Sequence, residues 1–305
     1  MNQCPTCGCI EYRGATRDDP REREATTGDE LLRPAHARVL DALLPLDLDR
    51  EYGPDDPFRW VGKDNYSIDQ EMIAPINVCA PGFGASVRAG HVFQLRAVAA
   101  LAERGVCQFV VIGCGYPRER NVGSVARSII SAASVLYLDD GMIVSAYGLA
   151  LLDTETRYLR ADLDDPYSIL AAIEHTRLRP GGIEPSRPVA LVFGSLVLER
   201  LKDPTTVIAE LVAAFPSGYL AATHVCTDAD TEADTVVNVA TVYTEYHLTM
   251  RPRTTAEVAA LLAGVELLEP GLTVAQDWKP APTTKSGEAS ERSSLAALGA
   301  WGGTQ

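Results

Sequence analysis

The residues best suited to chemistry in this chain stand at the ends of short apolar runs. Gln108–Ile112 (QFVVI) leads into Gly113, Cys114 and Gly115. Two glycines around one residue let the backbone turn tightly and approach a ligand closely. The pattern is not a dinucleotide loop, because Arg118 stands where a third glycine would, and the Gly-Lys-Ser/Thr of a phosphate-binding loop is absent. Asp139 lies 24 residues after Gly115, at the end of the run SVLYL, and Asp140 follows it. A carboxylate there can accept two hydrogen bonds from a ribose diol. Asp162 ends a third run and can accept from an adenine amino group. Either acid can instead cap the following helix. In combination, a glycine loop and two acids at successive strand ends describe a nucleoside site with no pyrophosphate to cradle. Gly194 and Ser195 close a fourth run, PVALVF, and His224 follows a fifth.

The elements that must position these residues alternate. Apolar runs predict strands at 108–112, 134–138, 157–160, 188–193 and 219–223. Helical spacing predicts helices at 33–44, 87–104, 123–133, 142–152, 165–177, 205–215, 235–246 and 254–262. Asp165 and Pro166 suit a helix N-terminus. This rhythm implies an α/β fold with a parallel sheet covered by helices on both faces. Ligands of such sheets bind at the carboxyl ends of the strands, where these residues fall.

The sequence divides into a Cys-containing segment and flexible linker (1–30), an N-terminal helical cover (31–105), an α/β domain (106–280) and a disordered tail (281–305). The linker and tail are too polar to offset the entropy of ordering the chain. The net charge of −14 disfavours a phosphate backbone as partner, so nucleic acid is not expected. No apolar run reaches the ~20 residues of a membrane span. The N-terminus lacks the features of a secretory signal. Seven cysteines, an odd number with the last four scattered among apolar segments, predict reduced thiols and a cytoplasmic protein. Cys4, Cys7 and Cys9 form three parts of a structural zinc site that needs a fourth ligand, such as His36 or a residue of a partner chain; a loose tail carrying thiols is the alternative.

In this setting the chain resembles the S-adenosyl methyltransferase family of high-GC bacteria. The resemblance is carried by HARVLD from His36, GKDNY from Gly62, QFVVIGCGYP from Gln108, VLYLD from Val135, ADLDDP from Ala161, TH at Thr223, TAEVAALLAGVELLEPGL from Thr255 and WKP from Trp278. It implies a Rossmann-like, seven-stranded methyltransferase sheet with an N-terminal helical cover and S-adenosylmethionine as cofactor. It implies cofactor contacts at Gly113, Gly115, Asp139 and Asp162; Cys114, Asp140 and Gly194 at the same strand ends, with Lys63 and Asn65, are further candidate contacts. It adds a segment containing Lys63, Asp64 and Asn65 that closes over the pocket. Four positions depart from the family pattern: Val111 replaces an acid, Gly90 an asparagine and Glu199 a histidine, and Asp139-Asp140-Gly141 stands for Asp-Asn-Asp.

Methyl transfer needs alignment above all, and a base only where the nucleophile must lose a proton. Candidate bases are His224, Glu199 and, less directly, His91. Tyr66, His91 and Tyr116 are candidate substrate contacts. The expected activity is methylation of a small molecule, in secondary metabolism. A cyclase or lyase using the same cofactor, or a non-catalytic cofactor-binding protein, are the alternatives, and a homodimer stays open.

Overall fold

The computed structural model describes residues 33–44, 64–151, 157–230, 233–279 and 292–303. Cys4, Cys7, Cys9, the linker, Lys63 and residues 281–291 lie outside them.

The five apolar runs are the strands β1 (Gln108–Ile112), β2 (Ser134–Asp139), β3 (Arg157–Arg160), β4 (Val189–Phe193) and β5 (Gly218–Asp230). They pair in parallel in the order β3-β2-β1-β4-β5. Side chains alternate across the sheet, as a period of two requires. Phe109 and Val111 join one buried cluster, while Val110 and Ile112 join the other. Both faces are therefore apolar and both must be covered.

The helices that cover them are α1 (His36–Leu43), α2 (Ser67–Cys79), α3 (Phe83–Glu103), α4 (Val122–Ile129), α5 (Met142–Leu151), α6 (Pro166–Thr176), α7 (Val197–Arg200), α8 (Pro204–Ala213), α9 (Ala233–Glu245) and α10 (Thr255–Leu261). Their ends follow local chemistry. The Asp165 carboxylate accepts from Tyr167 N, with Pro166 as the first helical residue, and Asp203 with Pro204 does the same for α8. Thr254 and Glu257 form a reciprocal capping box on α10. Helix α2 and the short α7 are not among the elements predicted above.

The sheet continues where the sequence predicted a disordered tail. Arg292–Trp301 is strand β8, antiparallel to β5 from Gly218↔Trp301 to Val225↔Ser294. Ser293 through Ala300 are buried along it. The tail boundary at 281 is thus corrected for these residues. On the outer side of β8, the two-residue strands β6 (Glu266–Leu267) and β7 (Thr273–Val274) pair with different stretches of it. The expected seven sheet positions are present, the last shared by two short strands, so the sheet has eight strands.

Helices α1 and α2 are locked together at the carboxyl ends of β1 and β4. Arg38 Nε donates to Asp69 Oδ2 at 2.8 Å, and both side chains are buried. The Arg38 guanidinium also lies 4.8 Å from the centre of the Tyr66 ring.

Candidate active site

Under α1 lies a cavity of about 450 Å3, within the range of small-molecule sites. Its floor is Gly113, Gly115, Asp139, Asp140 and Gly141, its side is Ser195, Leu196, Val197 and Arg200, and its roof is Arg33 through Arg38 with Leu40. Three successive sequence features, the glycine loop, the first acid pair and the turn after β4, therefore meet in one place.

The loop conformation requires its glycines. Gly113 and Gly115 have φ of 69° and 63°. A Cβ on Gly113 would lie 2.1 Å from Val197, and one on Gly194 would lie 1.9 Å from the Gly113 carbonyl oxygen. Gly194 thus lets the β1 and β4 loops touch. It lines a smaller adjoining space rather than the large cavity, as does Cys114. The Cys114 thiol sits 2.7 Å from Tyr158 Oη, and burial beside Asp139 pushes its pKa up.

Asp139 is buried on the cavity wall. Its Oδ2 accepts from Gly115 N and its Oδ1 from Gly141 N, both at 3.0 Å. Oδ2 also lies 4.0 Å from the Cys114 thiol, so Oδ1 is the oxygen with a clear second acceptor direction for a ligand hydroxyl. Burial raises its pKa, opposed by the Gly141 and Gly115 amides. Asp140 is instead committed: Arg200 donates to both of its oxygens, at 2.6 and 3.0 Å. This bidentate pair spans from the β2 end to the β4 end. Asp162 points away; it is exposed, and its Oδ1 accepts from Asp164 N at 3.0 Å. Its predicted adenine contact is not brought to the cavity, because the carboxylate closes its own turn.

The predicted bases are also displaced. Glu199 and His224 do come together, Glu199 Oε1 lying 3.9 Å from His224 Nδ1, but neither lines the large cavity. Glu199 accepts from Val225 N at 2.6 Å and so ties α7 to β5. His224 Nδ1 donates to the Val225 carbonyl at 2.7 Å. Its Nε2 must accept from Arg253 Nη1, also at 2.7 Å, since a guanidinium only donates. Both nitrogens of His224 are thus engaged in structural contacts, whereas Glu199 Oε2 is buried without a hydrogen-bond partner; the structure does not bring either side chain to the large cavity.

The GKDN segment is tied to the roof. Asp64 N and the Asn65 amide donate to Asp41 Oδ2 of α1, at 2.8 and 2.9 Å. Asp41 Oδ1 pairs with Arg118 of the glycine-loop connection at 3.0 Å. Asn65 thus holds the cover in place without itself lining the cavity. Tyr66 caps α2 and stacks on Arg38, also outside the cavity wall. Tyr116 lines both spaces, whereas His91 lines the smaller one alone. Gly90 is accounted for by packing: a Cβ there would meet Ser294 Oγ of β8 at 2.9 Å.

Three cavity residues escaped the sequence reading. His36 opens α1 and faces the cavity, where burial and Arg200 push its pKa down to about 4 against the pull of Asp140. Arg200 lies seven residues past the end of β4, at the far end of α7 and outside the turn that directly follows the strand. Leu196 occupies the left-handed region, with φ of 62°, on the cavity wall. A strained non-glycine residue of this kind is a recognised mark of a functional loop, although the sequence shows no sign of it.

The cavity fits S-adenosylmethionine in kind: a carboxylate with spare acceptor capacity, two glycines on the lining that let a ligand approach closely, and apolar walls at Ile143, Leu196 and Val197. The profile of the S-adenosyl methyltransferase family matches residues 57–302. A solved structure of a DUF574 family protein from Streptomyces avermitilis is 29% identical, with a TM-score of 0.76, covering 88% of this chain and 98% of that one. A proposed methyltransferase from Thermobifida fusca is 28% identical, with a TM-score of 0.75, covering 89% and 96%. A search of curated proteins gave no match. With the family profile spanning most of the sequence and the glycine loop and Asp139 meeting in one cavity, this chain belongs to the S-adenosyl methyltransferase family, whose cofactor is S-adenosylmethionine.

Proposed function

We propose that this methyltransferase acts on a small molecule bound under α1, as a cytoplasmic enzyme of secondary metabolism. The observation that carries the reading is the Asp139 carboxylate, buried on the cavity wall beside Gly113 and Gly115 with acceptor capacity to spare. In this reading Asp139 holds the ribose, the glycine backbone lies along the cofactor, and Ile143 and Leu196 flank its base. When bound, S-adenosylmethionine supplies an electrophilic methyl group on sulfur. The chain's own share is alignment and exclusion of water, which in well-ordered sites is worth ~7–11 kcal/mol of barrier. The α1 roof, pinned through Asp41 and Asp69, provides that enclosure. His36, held neutral in the cavity, can orient an acceptor hydroxyl or amine by a hydrogen bond; its lowered pKa makes it a weak base. Tyr116 shapes the acceptor end. Among the described residues, Cys79, Cys107, Cys114 and Cys226 are free thiols, as suits a reducing compartment.

A cyclase or lyase reaction would use the same cofactor placement, and binding without turnover is favoured by the departure at Val111. The test is calorimetric titration with S-adenosylmethionine and S-adenosylhomocysteine, on the wild type and on Asp139→Ala, followed by product analysis over a panel of natural-product acceptors. Micromolar binding that weakens about tenfold or more in the variant, with release of S-adenosylhomocysteine, is expected. Release of methylthioadenosine would move the assignment to cyclisation or elimination. Binding without any product would leave a regulatory protein.

A further inference from the structure

Beside the large cavity lies a second one of about 50 Å3. The two share walls at Ala37, Leu40, Gly115, Tyr116 and Ser195. The smaller space holds a group the size of a carboxylate, or one or two waters. His91 of α3 faces it, and the buried Nε2 of that ring has no hydrogen-bond partner. An unmade hydrogen bond at a buried nitrogen is unfavourable unless a ligand completes it.

The charged side chains that act most on His91 are cationic. Arg118 and Arg120 are the charged groups that, after burial, push its pKa down to about 3. Asp41 also lines this space, but its carboxylate is engaged: Oδ1 by Arg118, Oδ2 by Asp64 N and the Asn65 amide. A neutral imidazole carries one N–H that can donate to an anion, and the two guanidinium groups favour an anion over a cation there.

We propose that the small cavity is a carboxylate-binding subsite, in which His91 Nε2–H donates to the carboxylate of a ligand whose remainder occupies the large cavity. The inference rests on the reading of the large cavity as the cofactor site. The carboxylate can come from the amino-acid end of the cofactor or from a carboxylated methyl acceptor.

The two sources separate by titration. S-adenosylhomocysteine carries the carboxylate, whereas methylthioadenosine shares its nucleoside and lacks the amino acid. If the cofactor fills the subsite, His91→Ala weakens S-adenosylhomocysteine about tenfold and leaves methylthioadenosine within about twofold. His91→Gln, which keeps a donor, restores much of the loss and guards against a folding defect. If His91→Ala leaves S-adenosylhomocysteine unchanged, acetate is titrated into the loaded wild type. A saturable shift of the His91 ring signals by nuclear magnetic resonance then assigns the subsite to the acceptor. No change with either probe overturns the proposal. Failure of both nucleosides to bind the wild type would instead sink the cofactor reading, and acetate titration of the free protein would still decide the subsite.

Discussion

Two histidines of this chain are held neutral by where they are buried. His36 is pushed down to about 4 and His91 to about 3, burial being the largest cause in each case. In the unfolded chain both titrate near 6.5. Below that pH the unfolded state binds more protons than the folded state, so stability falls as the pH drops from about 6.5 towards the folded values and is unaffected above it. Urea midpoints measured from pH 7.5 down to 4.5 should therefore decline on the acid side. The decline should be shallower in a His36→Gln, His91→Gln double variant, and superimposable slopes would exclude these two residues as its source. The candidate site was partly legible at this scale. Gly113, Gly115 and Asp139 could be found because a strand end followed by glycine or acid is a local pattern. His224 satisfied the same pattern but is spent on Arg253, a partner 29 residues away whose approach no local rule reveals.

Between elements, the decisive contacts are those that hold the cover. Helix α1 has no basic residue in its last turn and no side-chain cap, so its placement depends on tertiary contacts. Asp69 of α2 is fully buried and accepts from Arg38 Nε, Tyr66 N and Ala35 N. Arg38→Ala strands that carboxylate, and we expect a loss of about 3–5 kcal/mol in urea unfolding. Arg38→Ala combined with Asp69→Asn should recover part of the loss, because the charge is then gone; an equal or larger loss would show that packing, not charge, secures α1. The short helix α7 is fixed in a related way. Glu199 holds Val225 N, and the Arg251 amide donates to the Glu199 carbonyl at 2.9 Å. That anchoring directs Arg200 to Asp140 across the floor of the cavity. The histidine-to-glutamate departure at 199 thus makes sense as an element contact, whereas sequence spacing suggested chemistry.

For the whole molecule, the closing strand matters most. β8 lies between β5 and the β6–β7 edge, so removal of residues 292–305 would expose a long unpaired edge of β5. The truncated chain should aggregate or lose its native circular dichroism, and a soluble, native-like truncation on size-exclusion chromatography would count against this role for β8. The sequence by itself determined the α/β alternation, the parallel strands β1 to β5 and the glycine–acid core of the site. Those features rest on short-range patterns: contiguous apolar runs buried on both faces, helix caps, and turns that demand glycine. Only the tertiary structure decided the fate of RSSLAALGAW. Its small residues carry little strand preference and become a strand because α3 presses close, with Ser86 Oγ accepting from Ser294 N at 2.8 Å and Gly90 leaving room for Ser294. It alone also decided which polar groups face the cavity. Asp139, His36 and Arg200 do, whereas Asp162, Glu199 and His224 do not, because the direction of a side chain is settled by partners brought together from distant parts of the chain.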